Sequence, residues 1–237
     1  MAKQHLKTIA APNTWAVRRK KNKFMTRPKP GAHKMRFGMP LSTVMTDLIK
    51  CAKTKREARI ILNNKNLLVD GKKRKDTRHI IGLMDTISIK ETGENYRLLL
   101  NSRGKLTAVR INDDEASIKP SRIKGKTKIS GGVTQLNTMD GRAVRVKKDD
   151  YKVGDTIMLS LPGQEIKEHI RLEKGSTAYM IGGKHIGDTG KVQDVEGRNI
   201  RIKSDQEYET LKSYAFAIGK DKPAVSMGQG EQKKEKE

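Results

Sequence analysis

A single cysteine, Cys51, stands among 237 residues. One thiol excludes a disulfide within the chain and any cysteine-rich zinc site, and its apolar-patterned surroundings point to a small buried residue. Aromatic residues make up 4% and hydrophobic residues 34%, with one tryptophan. That is too little for one large core and predicts several small modules, each marginal alone. No apolar run of about 18 residues is present to cross a bilayer. The opening residues, Met1-Ala2-Lys3-Gln4-His5, carry neither the apolar stretch of an export signal nor an acylation signal. Acid is missing altogether before Asp47. What the chain has in excess is positive charge: 51 Lys and Arg face 27 Asp and Glu, a net charge of +24. Self-repulsion on that scale implies a polyanionic partner. With no membrane-directed segment, the expected partner is nucleic acid in the cytoplasm.

The first segment, residues 1–40, holds eleven Lys or Arg. The run Arg18, Arg19, Lys20, Lys21, Lys23 is followed by Arg27-Pro28-Lys29-Pro30-Gly31, then by Lys34 and Arg36. Proline alternating with charge opposes helix and central strand alike, which predicts an extended arm, disordered until a partner neutralises it. Trp15 and Phe24 lie among these cations, as stacking on unpaired bases requires. For Trp15 a second reading stays open, a plug that fixes the arm to a neighbouring domain.

From Leu41 the pattern turns helical, with Leu41, Val44, Met45, Leu48, Ile49 and Ala52 on one face. Thr54 and Glu57 form a capping box that opens a second helix. Its apolar face is Ala58, Ile61 and Leu62, its other face Lys55, Arg56 and Arg59, and Asn63-Asn64 suit a left-handed stop. Short strands are expected at Leu67–Val69 and Thr86–Ile89, joined through the Asp70-Gly71 turn and the basic run Lys72, Lys73, Arg74, Lys75, Arg78. After Glu94 strand signals dominate: 97–100, 107–111, 133–136, 143–146 and 157–161, separated by turns such as Asn101–Lys105 and Asp140-Gly141. A last block, about 176–219, alternates at Lys191–Val195 and Ile200–Ile202, and the final residues read as a polar tail.

Three stretches resemble known families. Thr54-Lys55-Arg56-Glu57-Ala58-Arg59 followed by Leu67-Leu68-Val69-Asp70-Gly71-Lys72 resembles the S-four RNA-binding domain, although Asn64 stands where many members place glycine. Gly183-Lys184-His185-Ile186-Gly187-Asp188-Thr189-Gly190-Lys191-Val192 resembles a KOW motif, whose fold is a small SH3-like barrel. Taken in order with His5-Leu6-Lys7, Ala10-Ala11-Pro12, Gly31-Ala32-His33-Lys34 and Tyr214–Gly219, roughly residues 3 to 225 resemble the S-four-e family of small-subunit ribosomal proteins, in its archaeal branch.

The resemblance implies an α+β, mostly β multidomain chain. It has a basic N-terminal extension (1–40), an S-four domain of two helices and a small sheet (41–94), a central barrel-like β-domain (95–175), an SH3-like KOW domain (176–225) and a flexible tail (226–237). It implies small-subunit ribosomal RNA and neighbouring small-subunit proteins as partners, within the cytoplasmic ribosome. No homo-oligomer, small-molecule substrate, cofactor or metal is expected. The RNA-contacting residues would be the arm cations Arg18, Arg19, Lys20, Lys21, Lys23, Arg27, Lys34 and Arg36. To these are added Lys55, Arg56 and Arg59, the hairpin run 72–75 with Arg78, and Lys184 and Lys191 beside the glycine loop.

Two rival readings remain: an S-four/KOW factor acting off the ribosome, and an RNA-modifying enzyme. Against the enzyme, too few residues remain for a catalytic domain, and the five histidines (His5, His33, His79, His169, His185) are scattered without triad or metal-ligand spacing. Asp140-Gly141-Arg142 is explained by a hairpin turn.

Overall fold

In a computed structural model, residues 5–20, 22–64, 67–204 and 206–228 are described. The chain is mostly β with few helices. The arm is folded. Strand β1 (His5–Lys7) pairs antiparallel with β2 (Phe24–Thr26), and between them the chain loops back over the body. Trp15 is the pin: it is 1% exposed, and its indole N–H donates to the Met35 carbonyl at 2.9 Å. Thr14 binds on both sides, its hydroxyl to the Arg36 carbonyl and its own carbonyl to the Leu106 amide. The expected disordered arm is therefore corrected, because one large aromatic buried with its polar edge satisfied anchors a segment that the proline spacing alone would leave loose. Trp15→Ala should cost about 3–5 kcal/mol, the usual range for a buried tryptophan. It should also expose the bonds after Lys34 and Arg36 to trypsin; equal protease resistance in variant and parent would refute the pinning.

β3 (Gly38–Pro40) leads into a single α-turn, α1 (Leu41–Thr43), that widens into a π-helical turn over Val44–Leu48. This is shorter than the helix the periodicity predicts. Lys50 adopts a left-handed conformation (φ 62°), ending the turn before Ala52, which is buried all the same. α2 (Lys55–Asn64) follows and ends on Asn64, with Asn63 and Asn64 helical rather than left-handed.

A five-stranded antiparallel sheet comes next: β4 (Leu67–Val69), β5 (Lys72–Lys73), β7 (Thr86–Ile89), β8 (Glu94–Leu100) and β9 (Leu106–Ile111), in the order β5-β4-β7-β8-β9. A separate pair joins β3 to β6 (Ile80–Gly82). The ladder from β7 to β8 pairs Thr86 with Arg97 and Ile89 with Glu94. The expected domain break at residue 94 thus falls inside a sheet that continues to Ile111.

After the short α3 (Asp113–Ala116), the second sheet is built on β10 (Ile118–Lys128). Its other strands are β11 (Thr134–Thr138), β12 (Ala143–Val146), β13 (Thr156–Ser160) and β14 (Ile166–Ile170), in the order β12-β11-β10-β13-β14. The third sheet comprises β15 (Thr177–Met180), β16 (Thr189–Glu196), β17 (Asn199–Lys203), β18 (Glu207–Leu211) and β19 (Ala215–Gly219), in the order β18-β17-β16-β15-β19.

The units share cores rather than keeping separate ones. Trp15 of the arm, Ala58 and Leu62 of α2, Leu67 and Ile87 of the first sheet, and Tyr179 and Phe216 of the third belong to one apolar cluster. The Tyr179 hydroxyl accepts from the Leu100 amide at 2.7 Å and donates to the Leu100 carbonyl at 2.6 Å, clamping β15 to the end of β8. Met158 and Ile170 of the second sheet likewise sit in the third sheet's core. Sharing is how a chain poor in apolar residues covers three sheets.

Candidate nucleic-acid interface

α2 places Ala58 and Leu62 in the core and leaves Lys55, Arg56 and Arg59 exposed, as helical spacing dictates. Its start is fixed reciprocally: the Glu57 amide donates to the Thr54 hydroxyl at 3.2 Å, and the Lys53 amide to the Glu57 carboxylate at 2.8 Å. Across the same core, Leu67 and Val69 anchor β4, whose partner β5 is the sheet's edge and carries Lys72 and Lys73 outward. Lysines on an edge strand also discourage pairing with another chain. Helix and hairpin are thus locked by their apolar sides, with both cationic sides in solvent. Lys75 is exposed and Arg74 half-buried; Arg78 is half-buried and spends its Nε on the Arg27 carbonyl at 3.2 Å.

Among the arm cations Arg18, Lys20, Lys23, Lys34 and Arg36 are exposed, Arg27 is half-buried, and Lys21 lies outside the described residues. Arg19 departs from the expectation. Its guanidinium donates to the Ile9 and Pro12 carbonyls at 3.0 Å each, bracing the arm's own turn. Trp15 is corrected as a stacking residue, since burial of its ring leaves no face for a base. Phe24 differs, at 46% exposed. Arg18, Phe24 and Lys55 line one cleft between arm and α2.

Lys184, in the β15–β16 loop, and Lys191, on β16, are exposed, and Lys191 lies 3.7 Å from Asp221. Between them Gly187 has φ 87°, and a Cβ there would stand 2.4 Å from the Asn101 carbonyl. The glycine loop is therefore pressed onto the β8–β9 turn.

The most highly charged buried cluster among the described residues has no signature in the sequence. Lys119, 1% exposed on β10, is ion-paired with Asp70 at 2.7 Å, with Asp140 at 3.1 Å, and with Asp85. Arg142 bonds Asp70 and Asp140, and His33 of the arm lies 2.9 Å from Asp85. Three cationic groups thus meet three carboxylates, joining the arm, the first sheet and the second. Burial alone would lower the Lys119 pKa, but the carboxylates outweigh it and hold the ammonium charged above its ordinary value. Burial would raise Asp85; His33 and Lys119 reverse that and keep it far below the usual carboxylate range. His33 loses to burial and gains more from Asp85, so its pKa stands above the ordinary 6.5. Asp70 belongs to the hairpin motif. Its φ of 50° turns the side chain inward, so this position holds the fold together rather than meeting a ligand.

Comparison with known proteins decides the family. Small ribosomal subunit protein eS4 of Methanococcus vannielii is 38% identical over 95% of this chain and 98% of its own length. The protein of the same name from Methanocaldococcus jannaschii is 39% identical over the same shares. The chain belongs to the ribosomal S4e family. Within it, the family model for Ribosomal family S4e matches residues 92–166, and the RS4NT domain matches residues 2–36. The crystal structure of the 30S ribosomal protein S4e from Thermoplasma acidophilum superposes with a TM-score of 0.68. It is 32% identical, and the match covers 77% of this chain and 95% of that one. The S4e family resemblance seen in the motif order is borne out.

Proposed function

We propose that this S4e chain is a structural, non-catalytic constituent of the small ribosomal subunit, bound to ribosomal RNA and to neighbouring proteins of that subunit. The observation that carries the reading is the joint outward display of Lys55, Arg56 and Arg59 on α2 and of Lys72 and Lys73 on β5, above one shared core. Neutralising phosphates suits such a surface: cations on a rigid helix and an edge strand present fixed charge at little entropic cost. In this reading α2 with the first sheet, through Ile111, is the S-four unit. The second sheet is the central domain, and the third, with its Gly187 loop, is the KOW unit. Lys75, Arg18, Lys20, Lys23, Lys34 and Arg36 extend the RNA-facing surface, and Lys184 and Lys191 add a separate contact.

Added to cell extract at moderate salt, the tagged chain should co-sediment with small subunits and leave RNA polymerase fractions empty. Sedimentation with polymerase instead, or with free transfer RNA, would overturn the assignment.

A further inference from the structure

The cleft between arm and α2 offers more than charge. It is a half-open groove of about 650 Å³, within the range of small-ligand sites and ample for one nucleotide. Phe24 forms one wall, unusually exposed for an aromatic, with His5 edge-on at 4.8 Å and the Lys23 ammonium 5.6 Å from its ring centre. Arg18, Lys53 and Lys55 stand on the rim, with Asp47 the one acid among the lining residues. Thr8 also lines it. Only 4% of Thr8 is exposed, and its hydroxyl oxygen is buried without a hydrogen-bond partner. That oxygen has no accessible surface, so Thr8 serves the cleft as wall only.

We propose that this cleft takes a single unpaired ribonucleotide. Its base lies against Phe24, and its phosphate rests on Arg18 and Lys55. An aromatic wall and cations at the mouth match the base and the phosphate of a nucleotide. A duplex segment fits worse, because a paired base has no free face for Phe24. The inference rests on the reading of the chain as a ribosomal RNA binder and adds a base-holding site to its phosphate-holding surface.

The test uses the full chain and two probes, tetra-adenylate and an abasic tetraribose phosphate of equal charge. Binding is followed through the Thr8 methyl and Phe24 ring resonances. Tetra-adenylate should shift both signals and bind about 5- to 100-fold more tightly than the abasic strand, the range for one stacked base. Phe24→Ala should erase that difference. Equal binding of the two probes, or shifts confined to α2 and β5, would overturn the proposal. In that case binding of structured ribosomal RNA, still sensitive to Arg56 and Arg59, would leave the wider reading standing. Loss of that binding as well would mark failure of the reading itself.

Discussion

Replacing Lys119 with Met should destabilise the protein by about 3–5 kcal/mol, the usual cost of breaking a buried ionic group by removing one partner. The ammonium is ion-paired with Asp70, Asp85 and Asp140 at once, all nearly enclosed. Without it, three carboxylates share Arg142 and His33, and those that lose a partner must protonate or draw in water. Denaturant unfolding at neutral pH measures this, and a loss below about 1 kcal/mol would show the site to be solvated. The same cluster sets a pH window. His33 has a raised folded pKa, so its contribution is complete below the unfolded value of 6.5 and fades as pH rises through the folded one. Asp85 and Asp140 have depressed folded values, so theirs is complete above 3.8 and fades as acid titrates them. Stability conferred by the cluster should therefore peak between those limits, and Lys119→Met should flatten its acid limb.

Affinity for small-subunit ribosomal RNA should fall about 10³- to 10⁵-fold between 50 and 200 mM salt, as expected when roughly six to ten phosphates are neutralised. Placement supplies eleven exposed cations, enough for that number of contacts. Lys55, Arg56, Arg59, Lys72, Lys73 and Lys75 are exposed around α2 and β5, and Arg18, Lys20, Lys23, Lys34 and Arg36 are exposed on a folded arm. Arg19 and Arg78, bonded to the chain's own carbonyls, contribute less than their charge suggests. A folded arm also alters the kinetics expected for binding, since its ordering entropy of about 1–2 kcal/mol per residue is already met before RNA arrives. A nearly flat salt response would contradict binding through phosphate.

The sequence made the local devices legible. β7 falls on the four residues its alternation marks, Thr86–Ile89, and the Thr54 hydroxyl takes the Glu57 amide as the box requires, while Glu57 reaches one residue further back, to the Lys53 amide. Asp140-Gly141 makes the β11–β12 turn that its composition indicates. The longest strand, β10, was hidden. It contains Pro120 and Gly125, and its register shifts between Ile123 and Gly125. Its Lys119, which any pattern places outside, is buried because its charge partners come from three other loops. Those partners, Asp70, Asp85 and Asp140, and His33 of the arm, lie far apart in sequence, so no spacing rule gathers them. Trp15 is a similar case: its pocket is made by Met35 and by core residues remote along the chain. Position along the chain shows which residues are cationic, and only the fold separates cations that brace carbonyls from cations that face solvent.

The most direct measurement is the salt dependence of ribosomal RNA binding by the double variant Arg56→Glu, Arg59→Glu beside the parent. Both residues are exposed opposite the buried face of α2, so thermal stability should stay within about 0.5 kcal/mol. Losing two charge-assisted contacts at about 1.5 kcal/mol each should weaken binding about 100-fold at low salt. The slope of log affinity against log salt should become shallower by about two. A folded variant with parental affinity and slope would place the RNA surface elsewhere and contradict the account.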